Sequence, residues 1–132
     1  MVVAGEDQND RKWMGEIVDH LRAHNIYAVH DIGDRSDAGS GVRSICRCTP
    51  YIIPIFSEKS FKDKQSVEDK LFFQTILEVM TGGIDDSKVK VVPVLNKVSG
   101  DKLPNFMKWV VCLDTDEKDF MKNILAVIRG IL

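Results

Sequence analysis

The sequence has no long apolar run, no basic excess and no cysteine framework, and each absence removes a class of protein. No stretch approaches the roughly 20 consecutive apolar residues that a membrane-spanning helix needs, so direct membrane insertion is not expected. No signal-peptide pattern opens the chain. Lys and Arg number 18 against 20 Asp and Glu, a net charge of −2. A nucleic-acid-binding face would want the opposite balance, so no nucleic-acid partner is expected. The cysteines are three, Cys46, Cys48 and Cys112. An odd count without framework spacing argues against a disulfide-stapled secreted module. Cys46-Arg47-Cys48 has one intervening residue and no second Cys/His pair nearby, so a zinc site is not expected. Free thiols in a reducing, cytoplasmic compartment are the simpler reading. Low-complexity tracts and internal repeats are absent as well.

What is present is an ordinary globular composition, 44% apolar and 29% charged over 132 residues. That length predicts a single domain, 1–132, able to bury its own core. Val2 and Val3 start an apolar run almost at the terminus, which suggests a domain of a larger protein. Met1 to Ala4 reads as a first strand. A polar loop follows, with Asn9 or Asp10 as helix N-cap. Trp13, Ile17 and Leu21, flanked by Met14 and Val18, then repeat at helical spacing. Gly15 weakens that helix by about 1 kcal/mol relative to Ala. His20 and His24 are one turn apart, without an evident third ligand, and read as part of a solvated helix face. Asn25 ends the helix, because Asn tolerates the left-handed conformation.

Ile26 to His30 reads as a second strand. The loop Asp31 to Gly41 is rich in Gly, Asp and Ser, and a short helical piece carries Val42, Ile45 and Cys46. Tyr51 to Phe56 is nearly continuous in apolar residues, as a strand buried on both faces would be. Pro54 conflicts with neighbours on both sides, because it offers no ladder donor, and predicts a bulge or a strand end there. A polar, lysine-rich stretch, Ser57 to Ser66, reads as a solvated surface. Val67 to Met80 has a wide apolar stripe that predicts a largely buried helix, stopped by Gly82-Gly83. Val89 to Leu95 is a further strand carrying Pro93, and Phe106 to Leu113 another. Asp114 and Glu117 have the spacing of a capping box. Phe120, Ile124, Val127 and Ile131, with Met121, Leu125, Ile128 and Leu132 alongside, mark a last helix.

Strands alternating with helices predict an α/β fold: a flavodoxin-like, doubly wound, five-stranded parallel sheet with helices on both faces. The loop Asp31 to Gly41 would leave the carboxyl edge of that sheet, where ligands and partners are usually met. Gly33, Gly39 and Gly41 have neither the spacing nor the position of a phosphate-binding fingerprint.

In this order the residues resemble a Toll/interleukin-1 receptor (TIR) domain. Val2-Val3-Ala4-Gly5-Glu6-Asp7 resembles the family's opening strand and its acidic exit, with Trp13 in the helix after it. Arg35-Ser36-Asp37-Ala38-Gly39 resembles its loop motif, with Ala38 where the family has proline. Ile52-Ile53-Pro54-Ile55-Phe56-Ser57 resembles the strand that ends in serine. Val91-Val92-Pro93-Val94-Leu95 resembles the fourth strand, and Leu103-Pro104 the dipeptide beyond it. The similarity covers nearly the whole chain. The family's opening Ser-Tyr pair is absent here.

The resemblance implies one of two functions. Many TIR domains are interaction modules of innate immune signalling, which would here use Asp34, Arg35, Ser36, Asp37, Ala38 and Gly39, with the helix Gly41 to Arg47, to dock on other TIR domains. Homo-oligomers would result, and no cofactor is required. Other TIR domains cleave NAD+ with a glutamate on the helix beyond the strand-ending serine. Here Glu68 is the nearest glutamate, but the Trp-Cys context that usually precedes it is missing. Glu68-Asp69 would equally complement a helix N-terminus. The expectation is therefore an interaction module, with an NAD+ nucleosidase using Glu68 as the alternative. A receiver or nucleotide binder is a more distant third reading. Glu6-Asp7 suits a receiver, but Ser57 stands where its aspartate would be.

Overall fold

The computed structural model describes residues 2–4, 8–30, 50–58, 90–99, 101, 103 and 111–131. Its elements run β1 (Val2–Ala4), α1 (Gln8–Ala23), β2 (Tyr51–Phe56), β3 (Lys90–Val91), β4 (Val94–Leu95), β5 (Leu113–Asp114) and α2 (Phe120–Ile131). The sheet is parallel throughout, in the order β1-β2-β4-β5, with β3 beside β4 on the same side of β2. The protein is thus of the α/β class with an open parallel sheet.

β2 is its centre. All six residues are buried, as the continuous apolar run predicts. Ile53 and Ile55 face the same side as Val2, Ala4, Val94 and Leu113, and both helices pack there. Ile52 and Phe56, on the other side, are equally buried. From α1 come Met14, Ile17, Val18 and Leu21, and from α2 come Phe120, Ile124, Leu125 and Ile128. Trp13 meets Phe120 edge to face, at 5.4 Å between ring centroids. Phe120 and Ile124 face inward on the last helix as expected, with Leu125 and Ile128 beside them, whereas Val127 is exposed. The helix expected at Val67 to Met80 lies outside the described residues.

Pro54 sits inside β2 rather than at a bulge or an end. Lys90, Val92 and Asn96 donate their N–H groups to the carbonyls of Pro50, Ile52 and Phe56. In a parallel ladder the return bond to the carbonyl of Val92 would come from residue 54. Proline has no N–H, and the partner strand is interrupted at that point, between β3 and β4. The register is the same on either side of the gap. The strand expected over Val89 to Leu95 is therefore two short pieces. Pro93 has the same effect one strand further on. Its carbonyl accepts from Leu113, but it can donate nothing back to residue 111, and β5 is Leu113–Asp114. Residues 106–110 of the strand expected over Phe106 to Leu113 lie outside the described residues. Val111, two residues before Leu113, is 86% exposed.

α1 ends as the sequence predicts. Asn25 has φ 62°, and Ile26 and Asn25 donate to the carbonyls of Leu21 and Arg22. That is a Schellman motif with Asn at the left-handed position, and Leu21 and Ile26 are both buried beside it. The start of α1 differs from expectation. The helix begins at Gln8, so Asn9 and Asp10 lie in its first turn and do not cap it.

The expected second strand, Ile26 to His30, is reduced to one parallel bridge between His30 and Val2. Side chains hold two of its other carbonyls: Tyr51 Oη donates to Tyr27 O at 2.9 Å, and Arg22 Nε donates to Ala28 O at 2.9 Å. Ile26 and Ala28 still point inward, whereas Tyr27 is 85% exposed.

The expected capping box is not formed either. Asp114 closes β5, and its carboxylate accepts from the N–H of Asp116 while its carbonyl accepts from Glu117. This Asx turn delays the helix, which starts only at Phe120.

Candidate functional site

Because the sheet is parallel, the carboxyl ends of its strands share one edge, and that edge is polar. Ser57 follows β2, Asn96 follows β4 and Thr115 follows β5. Asp10 comes to the same edge from the first turn of α1. Three of these side chains form a chain of hydrogen bonds. Thr115 Oγ1 donates to Asn96 Oδ1 at 3.1 Å, and Asn96 Nδ2 donates to Asp10 Oδ1 at 2.7 Å. All three residues are buried: Asp10 is 2%, Asn96 3% and Thr115 9% exposed.

The bond from Asn96 to Asp10 links the exits of β4 and β1, which are separated in the sheet by β2. It therefore passes across the end of the central strand, where Ser57 buries its Oγ. A carboxylate only accepts hydrogen bonds, so it fixes the Asn96 amide with its nitrogen toward Asp10 and its oxygen toward Thr115. Charge-assisted bonds of this kind are short and strong, and burial raises the cost of breaking them. Lys97 then takes φ 57°, a left-handed turn that carries the chain away from Asn96.

This network fastens three connections to one edge. Thr115 gives its proton to an amide oxygen and not to a base, so its hydroxyl is not activated as a nucleophile. Among the described residues no group of three or more His, Cys, Asp or Glu is placed to hold a metal ion. Among the described residues two groups titrate away from their ordinary values, both through burial: the Tyr51 phenol and the Cys112 thiol are pushed up. Cys112 is thereby held as the thiol, which is the unreactive form.

Ser57 stands at the end of the central strand, the position the sequence assigns it. The expected interaction residues Asp34, Arg35, Ser36, Asp37, Ala38 and Gly39 lie outside the described residues. So do Glu68, Gly41 to Arg47, the acidic pair Glu6-Asp7 and the cysteines Cys46 and Cys48. The polar network itself has a sequence signal that belongs to no motif. Asn96 is the first polar residue after an apolar strand, and Thr115 follows β5 directly. Asp10 has the weaker signal, an acidic residue one turn ahead of an apolar face.

Among the described residues, then, the molecule is an α/β protein with a parallel sheet and a hydrogen-bonded polar carboxyl edge. No family model matches the chain, and no curated protein is significantly similar to it. No described helix is long and apolar enough to cross a membrane.

Proposed function

We propose that this chain is a TIR-like interaction module that acts by assembling with copies of itself or with other TIR domains in innate immune signalling. The observation that carries the reading is positional. The bridge of His30 to Val2 sets residues 26–30 parallel to β1, on its flank away from β2, with the chain running toward the carboxyl edge. Counting residues 26–30 as an edge strand, and β3 with β4 as one, gives the strand order 2-1-3-4-5 of a five-stranded flavodoxin-like sheet. In the TIR resemblance the segment leaving there is the docking loop. Asp34, Arg35 and Asp37 supply charges of both signs, which set register and partner choice, while Ala38 and Gly39 let the loop approach closely. A head-to-tail contact built on one loop generates open filaments when its rotation does not close.

The rival reading is an NAD+ nucleosidase using Glu68. The two are separated by measuring nicotinamide release from NAD+ at high protein concentration with a crowding agent. A folded, assembled domain is expected to release none. Product that disappears in Glu68→Ala would replace the scaffold by an enzyme.

A further inference from the structure

The sequence alone makes His20 and His24 part of a solvated face of α1, but their geometry is more specific than that. The ring centroids lie 4.6 Å apart, with the planes inclined by 53°. Nδ1 of His24 is 2.9 Å from the carbonyl oxygen of His20. A carbonyl only accepts, so this nitrogen carries the proton, and in the neutral ring the lone pair is left on Nε2. A backbone carbonyl holding one ring nitrogen is the usual partner of a histidine that ligates metal through the other. His20 offers a matching atom. Its Nε2 is shielded from solvent and has no hydrogen-bond partner, a state that buried polar atoms rarely keep.

The separation fits a shared ion. Two imidazoles bound side by side at metal–nitrogen distances of about 2.0–2.1 Å have ring centroids about 4.5–5 Å apart. The geometry points to a two-histidine site on α1, His20 and His24, for a divalent transition-metal ion that favours imidazole, such as Ni2+, Cu2+ or Zn2+. Two protein ligands leave the remaining coordination positions to water on the side of the exposed His24. The site is on the helix and away from the polar edge of the sheet, and it stands whether or not the domain assembles.

Ni2+ is the suitable probe, because thiolates compete for it less than for Zn2+ or Cu(I). Titration calorimetry on the full chain should give one ion per chain. His24→Asn places an amide where Nδ1 lies and so keeps the bond to His20 O, but it has no atom at Nε2. This variant and His20→Gln should each weaken Ni2+ binding at least tenfold. Replacing Cys46, Cys48 and Cys112 together with serine should leave the affinity unchanged. Bound Ni2+ should broaden amide resonances around residues 20–24 first. Unchanged affinity in His24→Asn, broadening centred elsewhere, or no binding by the wild-type chain at millimolar Ni2+ would each overturn the site.

Discussion

Replacing Asn96 with alanine is expected to cost about 3 kcal/mol of folding stability, because it strips a partner from a buried carboxylate and a buried hydroxyl at once. Asp10 is 2% exposed and Thr115 9%, so water cannot stand in for the lost amide without opening the edge of the sheet. Against a typical domain stability of about 5–15 kcal/mol the loss is large, and urea midpoints will register it directly.

The Asn96→Asp variant separates the hydrogen-bond account from a simple packing defect. It sets a second carboxylate within about 3 Å of Asp10, and two such groups cannot both ionise there. One of them is forced to a folded-state pKa above its unfolded value of about 3.9. The folded state then binds more protons than the unfolded state, so stability relative to wild type falls as pH rises through that window. The variant should be most impaired at neutral pH and recover toward pH 4. A deficit independent of pH would mean that Asp10 and Asn96 do not interact as described.

The second large effect is expected where α2 begins, one turn of α1 beyond Asp10. Phe120→Ala should cost about 3–5 kcal/mol, the usual range for emptying a buried aromatic site. Phe120 is the first residue of α2, is buried, and meets Trp13 edge to face. Edge-to-face pairs contribute about 0.5–1.5 kcal/mol beyond the area they bury. A double-mutant cycle with Trp13→Leu and Phe120→Leu should return a coupling of that size. Additive losses would place the stabilisation in burial alone.

The parts of this fold that can be read from sequence are those whose cause is local. Tyr51 to Phe56 is a strand because six apolar residues in a row bury both faces, and the structure has those bounds. Asn25 ends α1 because it tolerates a positive φ, and the same residue does so here. The departures have causes that lie elsewhere in the chain. A proline inside one strand breaks the ladder of the next, so Pro54 leaves β2 whole and divides its neighbour. The predicted bulge looked for its effect in the wrong strand. Asp114 and Glu117 have capping-box spacing, but Asp114 is drawn into β5 by its pairing with Leu95 and is not free to cap.

The polar edge was hidden for the same reason. Asp10 and Asn96 are 86 residues apart in sequence, and only the strand order brings them together. The proposed docking residues, by contrast, come from motif order in the chain and from the resemblance that order carries. Beyond that, their support is the bridge of His30 to Val2, which sets the residues before the loop beside β1.

The most direct measurement is the mass of the domain by light scattering across a concentration series, for wild type and for Gly39→Trp, with circular dichroism and a thermal melt on the same samples. Wild-type mass should rise with concentration. The variant should remain monomeric with an unchanged spectrum and melt, because a bulky side chain would block the proposed docking loop. Assembly of the variant equal to wild type, or a wild-type protein that is monomeric throughout, would contradict the account.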